Sequence, residues 1–200
     1  MRKMLFILYS VFSCVYASQI ITVKFNSTEI PVKLMVKGKV VESLKWQDKT
    51  GTHFIIITED SSNEYCSKGY KSALYARQYT RSDSFSVNWS IQDFGTNDCE
   101  KAHYLDSSLL IIDIDNDSIA ETRFIYELAH DCCDPVVVKY MLHYKENKVA
   151  IRGKVPMSEE SKKDYQKNMD PLFEKYPKSI KSFASKDWDT FVKKHYEYQE

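Results

Sequence analysis

Nine consecutive residues hold the densest chemistry-bearing pattern in the chain: Asp113-Ile114-Asp115-Asn116-Asp117-Ser118-Ile119-Ala120-Glu121. Carboxylates fall at the first, third, fifth and ninth positions, and the backbone carbonyl of Ile119 falls at the seventh. Such a set of hard oxygens suits Ca²⁺. Three aspartates two residues apart also repel one another unless a cation or a donor neutralises them. The expected ligands are therefore Asp113, Asp115, Asp117, Ile119 and Glu121, with a weak affinity on the order of 10⁻⁴–10⁻³ M, as in extracellular modules. Two features weigh the other way. Asp and Asn favour turns without any ion. The sixth position, where a sharp bend wants Gly, is Ser118, and a left-handed non-Gly residue costs roughly 1–2 kcal/mol. The EF-hand pattern fails at its twelfth position, which is Phe124 rather than Glu.

Other chemistries leave weaker marks. There is no Gly-x-Ser-x-Gly elbow and no His-Glu-x-x-His helix, and five glycines in 200 residues leave little room for a phosphate-cradling loop. The histidines, His53, His103, His130, His143 and His195, are scattered. His143, on a strand face with Lys139, reads as solvated, and His195 as packed or half-exposed on a helix stripe. His130-Asp131-Cys132-Cys133-Asp134, with Cys99, is too cramped to match a common zinc pattern. Tyr75 and Tyr79, beside Arg77, are the best candidates for stacking on sugar rings; sheet packing explains the same residues. Asn26-Ser27-Thr28 and Asn88-Trp89-Ser90 match glycosylation sequons, which matter only in a eukaryotic secretory pathway.

The N-terminus reads as an address. Arg2 and Lys3 precede an apolar run from Met4 to Phe12, and Val15-Tyr16-Ala17 fits signal-peptidase cleavage after Ala17. The alternative is a lipobox, Val11-Phe12-Ser13-Cys14, that would acylate Cys14, although Phe12 fits that box poorly. The apolar run is short for a membrane span, and no other stretch qualifies. Export places the remaining cysteines, Cys66, Cys99, Cys132 and Cys133, where disulfides persist. A hairpin turning near Asp117 sets Cys99 opposite Cys132 or Cys133, leaving the other neighbour for Cys66. The balance of 28 basic and 28 acidic residues argues against electrostatic nucleic-acid binding.

Strands must position these residues. Phe85, Val87, Trp89 and Ile91 alternate with polar residues, and Val136, Val138, Tyr140, Leu142 and Tyr144 alternate along a later strand. Apolar runs at Leu109–Ile112 and Thr122–Leu128 flank the acidic loop, and Gln47-Asp48-Lys49-Thr50-Gly51 holds the corresponding place in the first half. The expected fold is mainly β with C-terminal helices: two four-stranded antiparallel blade-like meanders packed as a sandwich or open barrel. Residues 1–17 form the signal peptide, 18–155 the β-rich domain and 156–200 a helical C-terminal segment packed on the sheet. Helices are expected from Ser158 to about Asn168, from Asp170-Pro171, and from Ser185, where Trp188, Phe191, Val192 and His195 form one stripe.

Several segments together carry a resemblance: Val40-Val41-Glu42, Trp46 to Gly51, Phe54 to Glu59, Asp98-Cys99-Glu100, Asp113 to Glu121, and Lys148 to Gly153. The chain resembles a family of uncharacterised exported proteins of Gram-negative bacteria, loosely labelled surface polysaccharide biosynthesis proteins. The strand-flanked acidic loop itself resembles the calcium loops of FG-GAP propeller blades. The family pattern has Gly where this chain has Ser118 and one cysteine where it has Cys132-Cys133. The resemblance implies an exported envelope protein, in the periplasm or at the cell surface, and no catalytic residues come with it. The expected role is a non-catalytic binding or structural component that contacts envelope polysaccharide or an envelope protein. The alternatives are a polysaccharide-acting enzyme using paired carboxylates and a lipid-anchored assembly subunit.

Overall fold

The computed structural model describes residues 18–60, 72–95, 100–130 and 135–196. The signal-peptide and lipobox readings, Cys14 included, and the pairing of Cys66, Cys99, Cys132 and Cys133 lie outside the described residues.

Twelve strands are formed among the described residues. They are β1 (Ser18–Gln19), β2 (Thr22–Lys24), β3 (Lys39–Asp48), β4 (Gly51–Asp60), β5 (Ala73–Arg81), β6 (Phe85–Phe94), β7 (Glu100–Tyr104), β8 (Leu110–Asp113), β9 (Glu121–His130), β10 (Val136–Tyr144), β11 (Asn147–Val155) and β12 (Gln166–Met169). One long helix, α1, runs from Lys178 to Tyr196. The smaller sheet is a sequential meander, β2-β3-β4-β5-β6. The larger sheet is ordered β1-β8-β9-β10-β11-β12, with β7 also paired to β9. All pairings are antiparallel, and the sheets face each other as an open sandwich.

The two-meander pattern is present, with more strands than the alternation alone indicates. The first apolar run divides: β1 joins β8 in the larger sheet, and β2 joins β3 in the smaller. The chain crosses between sheets at Ile20, which packs partly buried against Trp46, Ile55 and Ile111. At the other end, the helix expected from Ser158 is a short 3-10 helix, Glu159–Asp164, followed by β12. Residues 166–169 take strand form because β11 offers them an open ladder, with Ile151 opposite Met169 and Lys154 opposite Gln166. Pro171–Lys175 is another 3-10 helix, capped by the Asp170 carboxylate. The last helix starts at Lys178, directly after Pro177, rather than at Ser185.

Apolar residues sit in three layers. Between the sheets lie Ile57, Leu74, Ala76, Phe124, Tyr126, Leu128 and Met141. On the far face of the larger sheet, Ile125, Val138, Tyr140, Leu142, Val149 and Ile151 pack against Ile180, Ala184, Trp188 and Phe191 of α1. On the far face of the smaller sheet, Phe54, Ile56 and Tyr79 are covered by Ile30 and the segment around Leu34. The strands β4, β9 and β10 are thus buried on both faces, which accounts for their consecutive apolar residues, Phe54-Ile55-Ile56-Ile57, Phe124-Ile125-Tyr126 and Tyr140-Met141-Leu142. The stripe on α1 packs as expected through Trp188, Phe191 and Val192, while His195 is exposed and stacks on Phe191.

Candidate metal centre

The loop from Asp113 to Glu121 joins β8 to β9, and its own side chains organise it. Asp113 is buried, and its two oxygens accept the backbone N–H groups of Asp117 at 3.1 Å and Ser118 at 3.0 Å. Asp117 Oδ1 accepts the N–H of Ile119 at 2.9 Å. Asn116 and Ser118 both adopt left-handed backbone, with φ of 61° and 67°. The bend that asks for Gly is therefore made by Ser118, at the steric cost noted above. The two Asp113 hydrogen bonds and a contact from the neighbouring sheet hold it there.

That contact comes from the turn between β3 and β4. Lys49 N donates to Ser118 O at 3.0 Å, and Ala120 N donates to Asp48 Oδ2 at 3.1 Å. Asp48 Oδ1 meets Thr50 N at 2.8 Å and His53 Nε2 at 2.9 Å, and His53 Nδ1 lies 2.9 Å from Thr80 Oγ1. Burial works against ionisation of Asp48, but the hydrogen bonds from Thr50 and Ala120 outweigh it and hold the carboxyl below its ordinary range. Asp48 and His53 were not among the expected site residues. Their sequence signal was the placement of Gln47 to Gly51 at the position in the first half that the acidic loop takes in the second.

Asp113, Asp115 and Asp117 each offer a carboxylate oxygen, and these atoms lie within 4.8 Å of one another, a cluster that can hold a metal ion. Glu121 is not within that group. It is fully buried beside it, with Oε2 accepting the N–H of Ile114 at 2.7 Å. Ile119 is in the loop with its N–H turned to Asp117. Two side chains of the described residues reach the cluster. Lys145 Nζ lies 3.2 Å from Asp117 Oδ2, and Tyr144 donates its hydroxyl to Asp115 Oδ2 at 2.9 Å. Asp115 Oδ1 and Glu121 Oε1 are buried with no hydrogen-bond partner among the described residues. Burial pushes the Glu121 carboxyl up to about 8; the Ile114 N–H pulls the other way, and the charges of Asp115, Asp113 and Asp117 push it further. A divalent cation would supply further positive charge to this group of oxygens.

The sugar-stacking candidates are placed differently. Arg77 and Tyr79 both donate to the carbonyl of Leu34, and Tyr79 is fully buried against Phe54 and Phe85. Tyr79 therefore has no face open to a sugar ring; its position in β5 points it under the segment that covers the smaller sheet. Tyr75 is half-buried opposite Thr58 and Gln92. His143 is likewise not solvated. It is 4% exposed, lies flat on Trp89 with ring centroids 3.6 Å apart, and has no hydrogen-bond partner for either ring nitrogen among the described residues. Burial, aided by Lys148, lowers its pKa to about 3, so the ring is neutral. The strand face it shares with Lys139 is the one turned toward the other sheet.

No helix among the described residues is long and apolar enough to cross a membrane. Comparison with known protein families, with curated proteins and with solved structures finds no match to this chain.

Proposed function

We propose that this chain is an exported envelope protein with a binding or structural role, whose acidic loop closes around Ca²⁺. One observation carries the ion: three aspartates converge within 4.8 Å while the adjacent Glu121 is fully buried with an unpartnered oxygen. Hard oxygen donors favour Ca²⁺ over softer metals. In this role the ion is structural. The loop it closes is the one that Asp48 and Lys49 grip from the other sheet, so neutralising the cluster firms the contact between the two sheets. Lys145 already compensates Asp117 in part, which keeps the affinity weak, on the order of 10⁻⁴–10⁻³ M.

Export rests on the N-terminal charge and apolar pattern. The choice of envelope polysaccharide, or of a protein that handles it, rests on the family resemblance. An enzymatic reading needs a carboxyl acid reachable by substrate. Glu121 has the raised pKa of such an acid, about 8, but its complete burial keeps substrate from it.

Calorimetry and thermal melts with millimolar Ca²⁺ and with chelator test the ion. The expected result is weak heat and a melting temperature several degrees higher with Ca²⁺; no heat and coincident melts would sink the metal centre. Binding to an array of envelope glycans, with and without chelator, tests the partner class. Release of sugar from those glycans by the purified protein would favour the enzyme.

A further inference from the structure

The two sheets do not cover each other evenly. Trp89 of β6 stacks on His143 of β10, and Asp93 of β6 accepts hydrogen bonds from Lys139 of β10 and Tyr126 of β9. The edge strand of the smaller sheet therefore lies over β10 and runs opposite to it. The larger sheet continues two strands further, through β11 and β12. Antiparallel partners share a face, so the residues opposite His143, Lys139 and Val137, which are Lys148, Arg152 and Lys154, project on the same side as the smaller sheet. All three are exposed, and none is in an ion pair among the described residues. Their neighbours on that face of β12 are Asn168 and Gln166, so within the described strands β11 and β12 that face presents cations and amides.

Along the shelf runs the outer edge of β6, which no strand among the described residues pairs. Edge strands are commonly blunted by Lys, Pro, shortness, a bulge or an inward-pointing charge; here the bulge lies at Asn88, outside residues 89–94, and the inward Asp93 is neutralised by Lys139. β6 is ten residues long and has no Lys, Arg or Pro, and Val87 and Phe94 are 43% and 42% exposed on it. A bulge at Asn88 interrupts its pairing with β5, leaving Trp89 to Phe94 as a regular stretch, and this is the stretch that faces Lys148 to Arg152.

The geometry points to strand addition: β6 takes up an extended acidic segment of a partner protein along residues 89–94, with alternate carboxylates set over Lys148, Arg152 and Lys154. A strand added there would lie above β11 at the usual sheet separation of about 10 Å, a gap that Glu and Lys or Arg side chains span together. Its same-face side chains would recur about every 7 Å, the spacing of Arg152 and Lys154, with Lys148 about two repeats from Arg152. The β6 edge supplies main-chain hydrogen bonds, and the cation row selects the charge. An acidic glycan has the charge but no matching ladder of N–H groups, so the free edge favours a peptide. The inference rests on the binding role proposed above and not on the ion.

The test uses the full chain and a synthetic peptide of about ten residues, long enough for one strand, with Glu at alternate positions and Thr between. Controls are the same peptide with Lys for Glu, the acidic peptide N-methylated along one edge, and polygalacturonate. Binding is read by anisotropy, and hydrogen exchange is followed in residues 89–94. The acidic peptide is expected to bind at least about tenfold more tightly than the Lys peptide and to slow exchange in 89–94, and N-methylation is expected to abolish both effects. The double variant Arg152→Glu, Lys154→Glu should weaken binding by about tenfold or more with an unchanged melting temperature, because both side chains are exposed. The wild-type comparisons decide the matter should that variant fold poorly. Absence of acidic-peptide binding, binding without protection of 89–94, or protection of 89–94 by polygalacturonate would each overturn strand addition. Loss of Ca²⁺ binding alone leaves it standing, so the two readings fail separately.

Discussion

Asp115 concentrates the electrostatic problem of the loop. One of its oxygens takes the Tyr144 hydroxyl, and the other is buried beside Asp113, Asp117 and Glu121 with no partner among the described residues. Without a cation, its charge opposes folding. Replacing Asp115 with Asn removes that charge and keeps an acceptor for Tyr144. In chelator, Asp115→Asn is expected to raise stability by on the order of 1 kcal/mol, a few degrees in melting temperature for a chain of this size. The same substitution should erase the increment that Ca²⁺ gives the wild type. A variant that melts lower in chelator and still responds to Ca²⁺ would show that Asp115 is neither strained nor a ligand. The ligand types and their spacing were legible here, because hard-oxygen chemistry depends on residue identity. The burial of Glu121 was not, because it follows from how β9 is sandwiched.

Single elements are held to their neighbours by polar clamps, and one of these gives a pH signature. Glu59 of β4 accepts His103 Nδ1 at 3.1 Å and the N–H of Tyr104 at 2.6 Å, tying β7 to the smaller sheet. The Glu59 hydrogen bond, working against burial, raises the His103 pKa above 6.5. Burial pushes Glu59 up, but the bonds from His103 and Tyr104 prevail and hold it below 4.5. The contribution of His103 is therefore complete below about 6.5 and is lost as pH rises through its raised folded value. That of Glu59 is present above about 4.5 and is lost as pH falls. Glu121, raised to about 8, loses stability in the same direction as His103 between pH 4.5 and 8, so the two must be separated. Thermal melts of wild type and His103→Gln across that range should differ most near pH 6 and converge toward pH 8. Parallel curves would mean that the clamp does not titrate. The long alternating strands β6 and β10 were readable from period alone. The short β12 was not: it is a strand only because β11 offers an edge, and its local composition reads as helix.

At the scale of the whole molecule, the helix layer depends on a close approach. Gly153 of β11 lies beneath α1, where an added Cβ would sit 2.3 Å from Gln166 O and 2.7 Å from Trp188 Cζ2. Trp188 is fully buried, and Arg123 and Tyr140 both bind Asp187 beside it. Gly153→Ala is accordingly expected to destabilise by about 1–3 kcal/mol through overpacking, read as a lower urea midpoint with an unchanged slope. An unaltered midpoint would mean that α1 sits loosely on the sheet. The hydrophobic stripe of α1 announced a packed helix. Which strand it lies on, and that β11 needs Gly at that point, emerge only when β10, β11 and β12 are assembled.

By itself, the amino-acid order determined what depends on neighbours along the chain: strands where apolar residues alternate, a turn where aspartates crowd, and a terminal helix with one apolar stripe. The tertiary structure alone decided what depends on residues far apart. It joined Asp48 to the acidic loop, turned Tyr79 inward and laid His143 flat beneath Trp89. It also left β11 and β12 projecting beyond β6. The reason is physical: side-chain period is a local property of the backbone, whereas burial, pairing and charge compensation are set by which faces meet when the sheets close.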